Sequence, residues 1–190
     1  MNIVEWIAAL TTIMSVFLLS RAKRSGWIFG IVACLIYGFV FIEQKLYANA
    51  ILQLVFIGQG IHGIISWKKE IQNSFDFSSK KLDVISIVGL VALTLAFGII
   101  ISATLSLLEI NKDSLLDVAL SLCSVLAMTL MAKRVIQSWF VWMAVDIGYV
   151  CLFIYVGMWV SATLYLLLFF MCVDGYRQWN KKRIEVIKQF

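Results

Sequence analysis

Residues 25–41 read SGWIFGIVACLIYGFVF, and residues 137–153 read QSWFVWMAVDIGYVCLF. Laid over one another at an offset of 112 residues, Trp27 falls on Trp139, Tyr37 on Tyr149 and Phe41 on Phe153. The match runs on without a gap: Ala50 meets Ala162, Gly63 meets Gly175 and Trp67 meets Trp179. Earlier in the units Glu5 meets Asp117 and Arg21 meets Lys133. Coincident tryptophans are hard to produce by chance when the chain has seven in all. The reading is therefore an internal repeat, with units at residues 3–70 and 115–182.

Both stretches are apolar enough for lipid, and so is the rest of the chain. Hydrophobic residues make up 62% of its 190 residues and charged residues 14%, at a mean hydropathy of +0.95. A soluble domain carries about a quarter charged residues, so the expectation is one integral membrane domain over residues 1–190. A bilayer crossing takes about 20 apolar residues. Seven such runs can be drawn, at 3–20, 26–43, 48–67, 83–105, 115–132, 138–156 and 159–177. The sixth and seventh nearly merge through Val156, Gly157 and Met158. There is no proline, so a broken span would rest on glycines such as Gly30, Gly58, Gly60 and Gly63. The N-terminal MNIVEW has neither a basic leader nor a small-residue cleavage site, which reads as a retained first helix.

The net charge of +5 sits in the short loops between these runs. That argues for topology signalling and against nucleic acid as a partner. Fourteen of the 16 basic residues fall on one side of the membrane, leaving Lys45 and Lys112 on the other. By the positive-inside rule the N-terminus lies outside and the C-terminus in the cytoplasm. The basic tail NKKRIEVIKQF then serves as a cytoplasmic stop that can touch lipid headgroups. Cys34, Cys123, Cys151 and Cys172 lie inside apolar runs without metal-ligand or redox spacing, and read as buried small hydrophobes. No metal and no cofactor is expected.

One connecting span, 83–105, gives the two three-helix units the same orientation. An all-α 3+1+3 arrangement of parallel repeats is a transporter architecture shared with SWEET-type sugar carriers, which bind cargo between the repeats near the midplane. In the sixth span Trp139, Trp142, Asp146, Tyr149 and Phe153 are spaced i, i+3, i+7, i+10 and i+14, along one helix face. Asp146 lies eight residues into the span, about 12 Å at 1.5 Å per residue, with no basic residue within a turn or two. An ionised acid at that depth costs a few kcal/mol. It is either a helix-to-helix hydrogen bonder or a counter-ion for a cationic cargo, whose flat ring Trp139, Trp142 and Tyr149 would stack on and stabilise by cation–π attraction. The first unit keeps Trp27, Tyr37 and Phe41 but has Gly30 and Cys34 where the second has Trp142 and Asp146. In the third span Asn49, Gln53 and Gln59 are candidates to read donors and acceptors, or to tie helices together. His62, aligned with Asp174, reads as structural or interfacial.

The run RSGWIFGIVACLIYGFVFIEQKLYANAILQLVFIGQGIHGIISW resembles the PnuC family of bacterial vitamin transporters. The pattern W-x-x-G, LYA…LQ and G-x-x-x-W is carried by Trp27/Gly30, Leu46–Ala48, Leu52–Gln53 and Gly63/Trp67. The second unit matches through Trp139-x-x-Trp142 and GYRQW at 175–179, so the resemblance covers nearly the whole chain. It implies a seven-helix inner-membrane protein, often trimeric. It also implies facilitated diffusion of an unphosphorylated vitamin, such as nicotinamide riboside, thiamine or riboflavin, that a cytoplasmic kinase then traps. In the nicotinamide riboside members an amide residue is expected one turn after the second tryptophan, where this chain has Asp146. That departure favours thiamine as the cargo, with nicotinamide riboside, itself a pyridinium cation, as the alternative. A membrane enzyme would need a catalytic cluster at a membrane face, and a single histidine with scattered cysteines does not supply one. A receptor-like bundle would not need the repeat, and a channel would show flux that fails to saturate.

Overall fold

The structure is a computed structural model that describes residues 3–43, 47–73, 82–83, 85–86, 88–90, 92, 94, 96, 115–155 and 157–188. Among these residues six long helices form: α1 (Ile3–Ser20), α2 (Ser25–Glu43), α3 (Tyr47–Asn73), α4 (Leu115–Ala132), α5 (Ser138–Tyr155) and α6 (Trp159–Ile187). They pack in sequence, each on the next, and α6 returns to α1 to close a ring. The two seams between the units are thus α3 on α4 and α6 on α1. The linking segment is helical wherever it is described between residues 85 and 96. Asp83 caps its start by accepting from the Ser86 amide (3.0 Å) and hydroxyl (2.7 Å). The remainder of the expected fourth span, to residue 105, lies outside the described residues.

Ser25–Glu43, Ser138–Tyr155 and Trp159–Glu185 are each long and apolar enough to cross a bilayer, while α1 and α4 supply shorter apolar stretches at Trp6–Ser20 and Val118–Ala132. Helices α3 and α6 outrun the spans read from sequence, 48–67 and 159–177. Their continuations are rich in Lys, Arg, Glu and Gln, which are good helix formers once outside lipid. A Schellman turn at Gly157 (φ +77°) ends α5. The Gly157 amide donates to the Ile154 carbonyl (3.1 Å) and the Met158 amide to that of Phe153 (2.7 Å). The two spans that nearly merge in sequence are separated there.

Positions 112 residues apart share their surroundings. On α2 the residues at 28, 32, 35, 39 and 42 are exposed, and on α5 those at 140, 144, 147, 151 and 154. Each set is one apolar helix stripe facing away from the ring, as a lipid-facing surface would. Cys151 belongs to this outer stripe, and Cys34 is half-buried, so of the four cysteines only Cys123 and Cys172 have the buried character expected. Helices α1 and α4 both end in a Schellman turn whose left-handed residue is not glycine: Ala22 (φ 57°) and Arg134 (φ 56°).

The inward faces carry the core. The Trp27 and Trp67 rings meet edge to face at 5.5 Å and 89°, and Trp139 and Trp179 do so at 5.4 Å and 88°. Trp67 and Trp179 touch across the units at 5.8 Å. All four indoles are at most 1% exposed, and edge-to-face pairs add to the large area each ring buries. Glycine makes room for them. A Cβ at Gly63 would stand 2.5 Å from Trp27, and one at Gly175 2.6 Å from Trp139. At one seam the Trp179 indole N–H donates to the Leu19 carbonyl (2.9 Å), Lys182 Nζ to the Arg21 carbonyl (2.9 Å), and Arg21 pairs with Asp174 at 3.7 Å. At the other, the buried Arg134 donates to the Trp67 carbonyl (3.1 Å).

Candidate functional site

Asp146 is 2% exposed, on the inward face of α5 and opposite the outer stripe. The hydrogen bond described at its carboxylate comes from the Cys172 thiol on α6, at 3.4 Å from Oδ2. A thiol is a weak donor, so it leaves most of the cost of burying a carboxylate uncompensated. Such a group is stabilised by a cation arriving within a few ångströms.

One turn further along α5, Tyr149 is half-buried, and its hydroxyl lies 3.2 Å from that of Ser121 on α4. Its ring stacks on Phe153 (5.8 Å, 18°) and tilts against Tyr165 of α6 (4.8 Å). Asp146 with Cys172, and Tyr149 with Phe153 and Tyr165, thus make an acid–thiol pair and an aromatic patch about one turn apart along α5, both reaching α6. In the first unit Tyr37 stacks on Phe41 in the same way (6.0 Å, 19°). Gln53 on α3 packs its Cβ and Cγ against Gly38 of α2.

The sequence reading placed Trp27 and Trp139 among the cargo contacts. The structure puts both in the packed tryptophan core, against Gly63 and Gly175, because the small residue opposite each ring lets the helices close on it. Trp142 is half-buried and packs against the same core on one side and against the Ala127, Leu130 and Val141 cluster on the other. Gln59 ties α3 to α4, with Nε2 donating to the Val125 carbonyl (3.0 Å) and to Thr129 Oγ1 (2.7 Å). The side chain of Asn49 lies outside the described residues, as do those of Glu5 and Asp117. His62 is exposed, and Asp174 belongs to the α1–α6 seam.

Two residues of the pair and the patch escaped the sequence reading. Tyr165 stands 112 residues after Gln53, and Cys172 stands 112 after Gly60. The repeat register could thus have pointed to Tyr165 through the candidate Gln53, whereas nothing at Gly60 marked Cys172, which reads in the sequence as a buried small hydrophobe. Among the described residues no group of three or more metal-ligating side chains forms.

A ring of apolar helices with lipid-facing outer stripes and an acid buried at mid-span has the build of a multi-spanning membrane transporter. The family model described as nicotinamide mononucleotide transporter matches residues 2–181. The nicotinamide riboside transporters PnuC of Escherichia coli K12 and of Shigella flexneri are each 25% identical over 203 residues, covering 92% of this chain and 85% of theirs. A crystal structure of the vitamin B3 transporter PnuC superposes with a TM-score of 0.73 at 23% identity, covering 94% of this chain and 81% of that one. The chain belongs to the PnuC family of nicotinamide mononucleotide transporters, and it is an integral membrane transporter with the all-helical PnuC fold, not an enzyme.

Proposed function

We propose that this protein carries nicotinamide riboside into the bacterial cytoplasm across the inner membrane. The observation that carries the reading is Asp146, buried at mid-span with a thiol donor at 3.4 Å, one turn along α5 from Tyr149, whose ring meets that of Tyr165. A pyridinium nucleoside supplies the missing positive charge and a flat ring for the aromatic side chains. The names borne by the two bacterial relatives support the same cargo. They outweigh the preference for thiamine drawn from Asp146, because the pyridinium of nicotinamide riboside is as permanent a cation as a thiazolium. Thiamine is kept as the second reading, on the acid that replaces the expected amide.

Cargo moves by facilitated diffusion, the repeats at residues 3–70 and 115–182 rearranging around it, with phosphorylation by a separate cytoplasmic kinase preventing its return. The fourteen-to-two distribution of basic residues supports an external N-terminus and a cytoplasmic C-terminus. A homotrimer is the assembly suggested by the family resemblance.

The test is counterflow in proteoliposomes loaded with unlabelled nicotinamide riboside or thiamine. Labelled nicotinamide riboside should accumulate transiently and saturably. Exchange of thiamine alone would reverse the choice of cargo, and flux without saturation would replace the carrier by a channel.

A further inference from the structure

Gln59 is more than a tie between α3 and α4. Its amide nitrogen has two hydrogens, and both are committed: one to the Val125 carbonyl at 3.0 Å, the other to Thr129 Oγ1 at 2.7 Å. The Thr129 hydroxyl sends its own proton to the Val125 carbonyl (2.9 Å), so towards Gln59 it acts as acceptor. A carbonyl oxygen only accepts, which fixes which end of the amide faces α4. Oε1 is therefore turned away from these partners, and it is buried with no hydrogen-bond donor among the described residues. Leaving such an acceptor unmet is costly.

The position suits a ligand held between the units. Gln59 is twelve residues into α3, about 18 Å along the helix, and Val125 is ten residues into α4, so the amide sits at mid-span on the seam where the two units meet. The register makes it one-sided, because the residue 112 positions later is Met171. One seam therefore offers an acceptor at this level, and the position related to it by the repeat offers a thioether.

We infer that Gln59 Oε1 is a specificity-determining contact, which accepts a hydrogen bond from an N–H of the cargo's planar substituent while Asp146 answers the ring's positive charge. With its donors occupied, Gln59 reads in one direction: it favours an amide or amino N–H and gives nothing to a group that can only accept. For a pyridinium riboside that group is the carboxamide NH2. The inference rests on the cargo proposed above.

The experiment is calorimetric titration of the purified full chain with two ligands of equal charge and ring: nicotinamide riboside and 3-acetylpyridine riboside, in which a methyl replaces the amide NH2. The wild-type protein should prefer nicotinamide riboside on the order of tenfold. Gln59→Met, which installs the residue found at 171, should bring that preference to about onefold and leave affinity for the acetyl compound unchanged. Thr129→Val, which loosens the anchor but spares Oε1, should retain a preference. Equal binding of the two ligands by the wild type would overturn the inference and leave the cargo assignment standing, and that comparison needs no variant to fold. Parallel loss of both ligands in Gln59→Met would overturn it too, making Gln59 a structural tie. If neither ligand bound the wild type, the cargo assignment would fall and the inference with it.

Discussion

The close fit of glycine against tryptophan gives the sharpest test of the packing. In Gly63→Ala the new methyl would stand 2.5, 2.6 and 2.8 Å from Cε2, Cδ2 and Cε3 of Trp27. Ordinary carbon–carbon contact is about 3.5–4.0 Å, so the deficit is roughly 1 Å against three atoms of a rigid ring. Trp27 cannot swing aside, being 1% exposed and held edge-on to Trp67 at 5.5 Å. Helices α2 and α3 must part instead, and overpacking of this kind costs roughly 1–3 kcal/mol. The contact distances place Gly63→Ala at about 2–3 kcal/mol, which for a chain of this size lowers the melting temperature by roughly 4–12 °C. Gly58→Ala is the control on the same helix: its methyl would meet nothing within 4 Å, and helix propensity makes it neutral or stabilising by about 0.5–1 kcal/mol. The assay is thermal unfolding in detergent followed by tryptophan fluorescence, since the four core indoles report the ring directly. If Gly63→Ala melted together with Gly58→Ala, the indole would not be seated on that glycine and the account of the core would be wrong.

Three further changes test other parts of the molecule. Asp146→Asn removes an attraction that at 4 Å and an effective dielectric of 20 is about 4 kcal/mol before burial is counted. Since the family resemblance implies an amide here in the nicotinamide riboside members, the loss read by calorimetry should be larger for thiamine than for nicotinamide riboside. The unliganded variant should melt no lower than wild type, because a neutral amide is easier to bury than a carboxylate. Unchanged affinity would make Asp146 a structural acid. Ala22→Gly relieves a left-handed backbone residue at φ 57° and should raise stability by about 1 kcal/mol; a lower melting temperature would mean that the turn after α1 is not as described. Trp179→Phe keeps a six-membered ring but loses the fused pyrrole, and with it the indole bond to the Leu19 carbonyl, at a site that is 0% exposed. The lost bond should cost about 1 kcal/mol, or up to about 3 if that carbonyl is left buried without a donor, and the cavity adds to it; a variant as stable as wild type would place Trp179 outside the packed seam.

The fold was largely open to reading because lipid makes a simple demand. Every backbone group must be satisfied within a helix, so apolar length counts helices. The offset of 112 then related the units, and Trp27/Gly63 and Trp139/Gly175 show what that pattern encodes: an indole and the missing side chain that admits it. The candidate site was less legible for a related reason. The i, i+3, i+7 spacing says which residues share a face of α5, but not how deep along the inward face the packing closes. Trp139 and Asp146 lie on one stripe, yet the first is sealed in the core and the second is left with a thiol. That difference is made by Gly175 and Cys172 on α6, neither of which a periodicity within α5 can see.

On the proposed function, the repeat separates what the two units share from what would recognise the cargo. What is duplicated is mechanical: the outer stripes on α2 and α5, the Schellman turns at Ala22 and Arg134, and the glycine-seated tryptophan pairs whose members meet through Trp67 and Trp179. What is not duplicated is chemical. Cys34 stands for Asp146, Gly60 for Cys172, Gln53 for Tyr165 and Met171 for Gln59. On the proposed mechanism, two units that rearrange about a shared axis need matched packing, since a mismatch would favour one arrangement at every cycle. The proposed cargo, a pyridinium whose charge and carboxamide N–H donors lie on different edges of one ring, asks for the opposite, an acid on one wall and an acceptor on another. Substitutions at the duplicated positions should therefore change the rate of exchange for every cargo alike, and substitutions at the unmatched positions should change which cargo is exchanged.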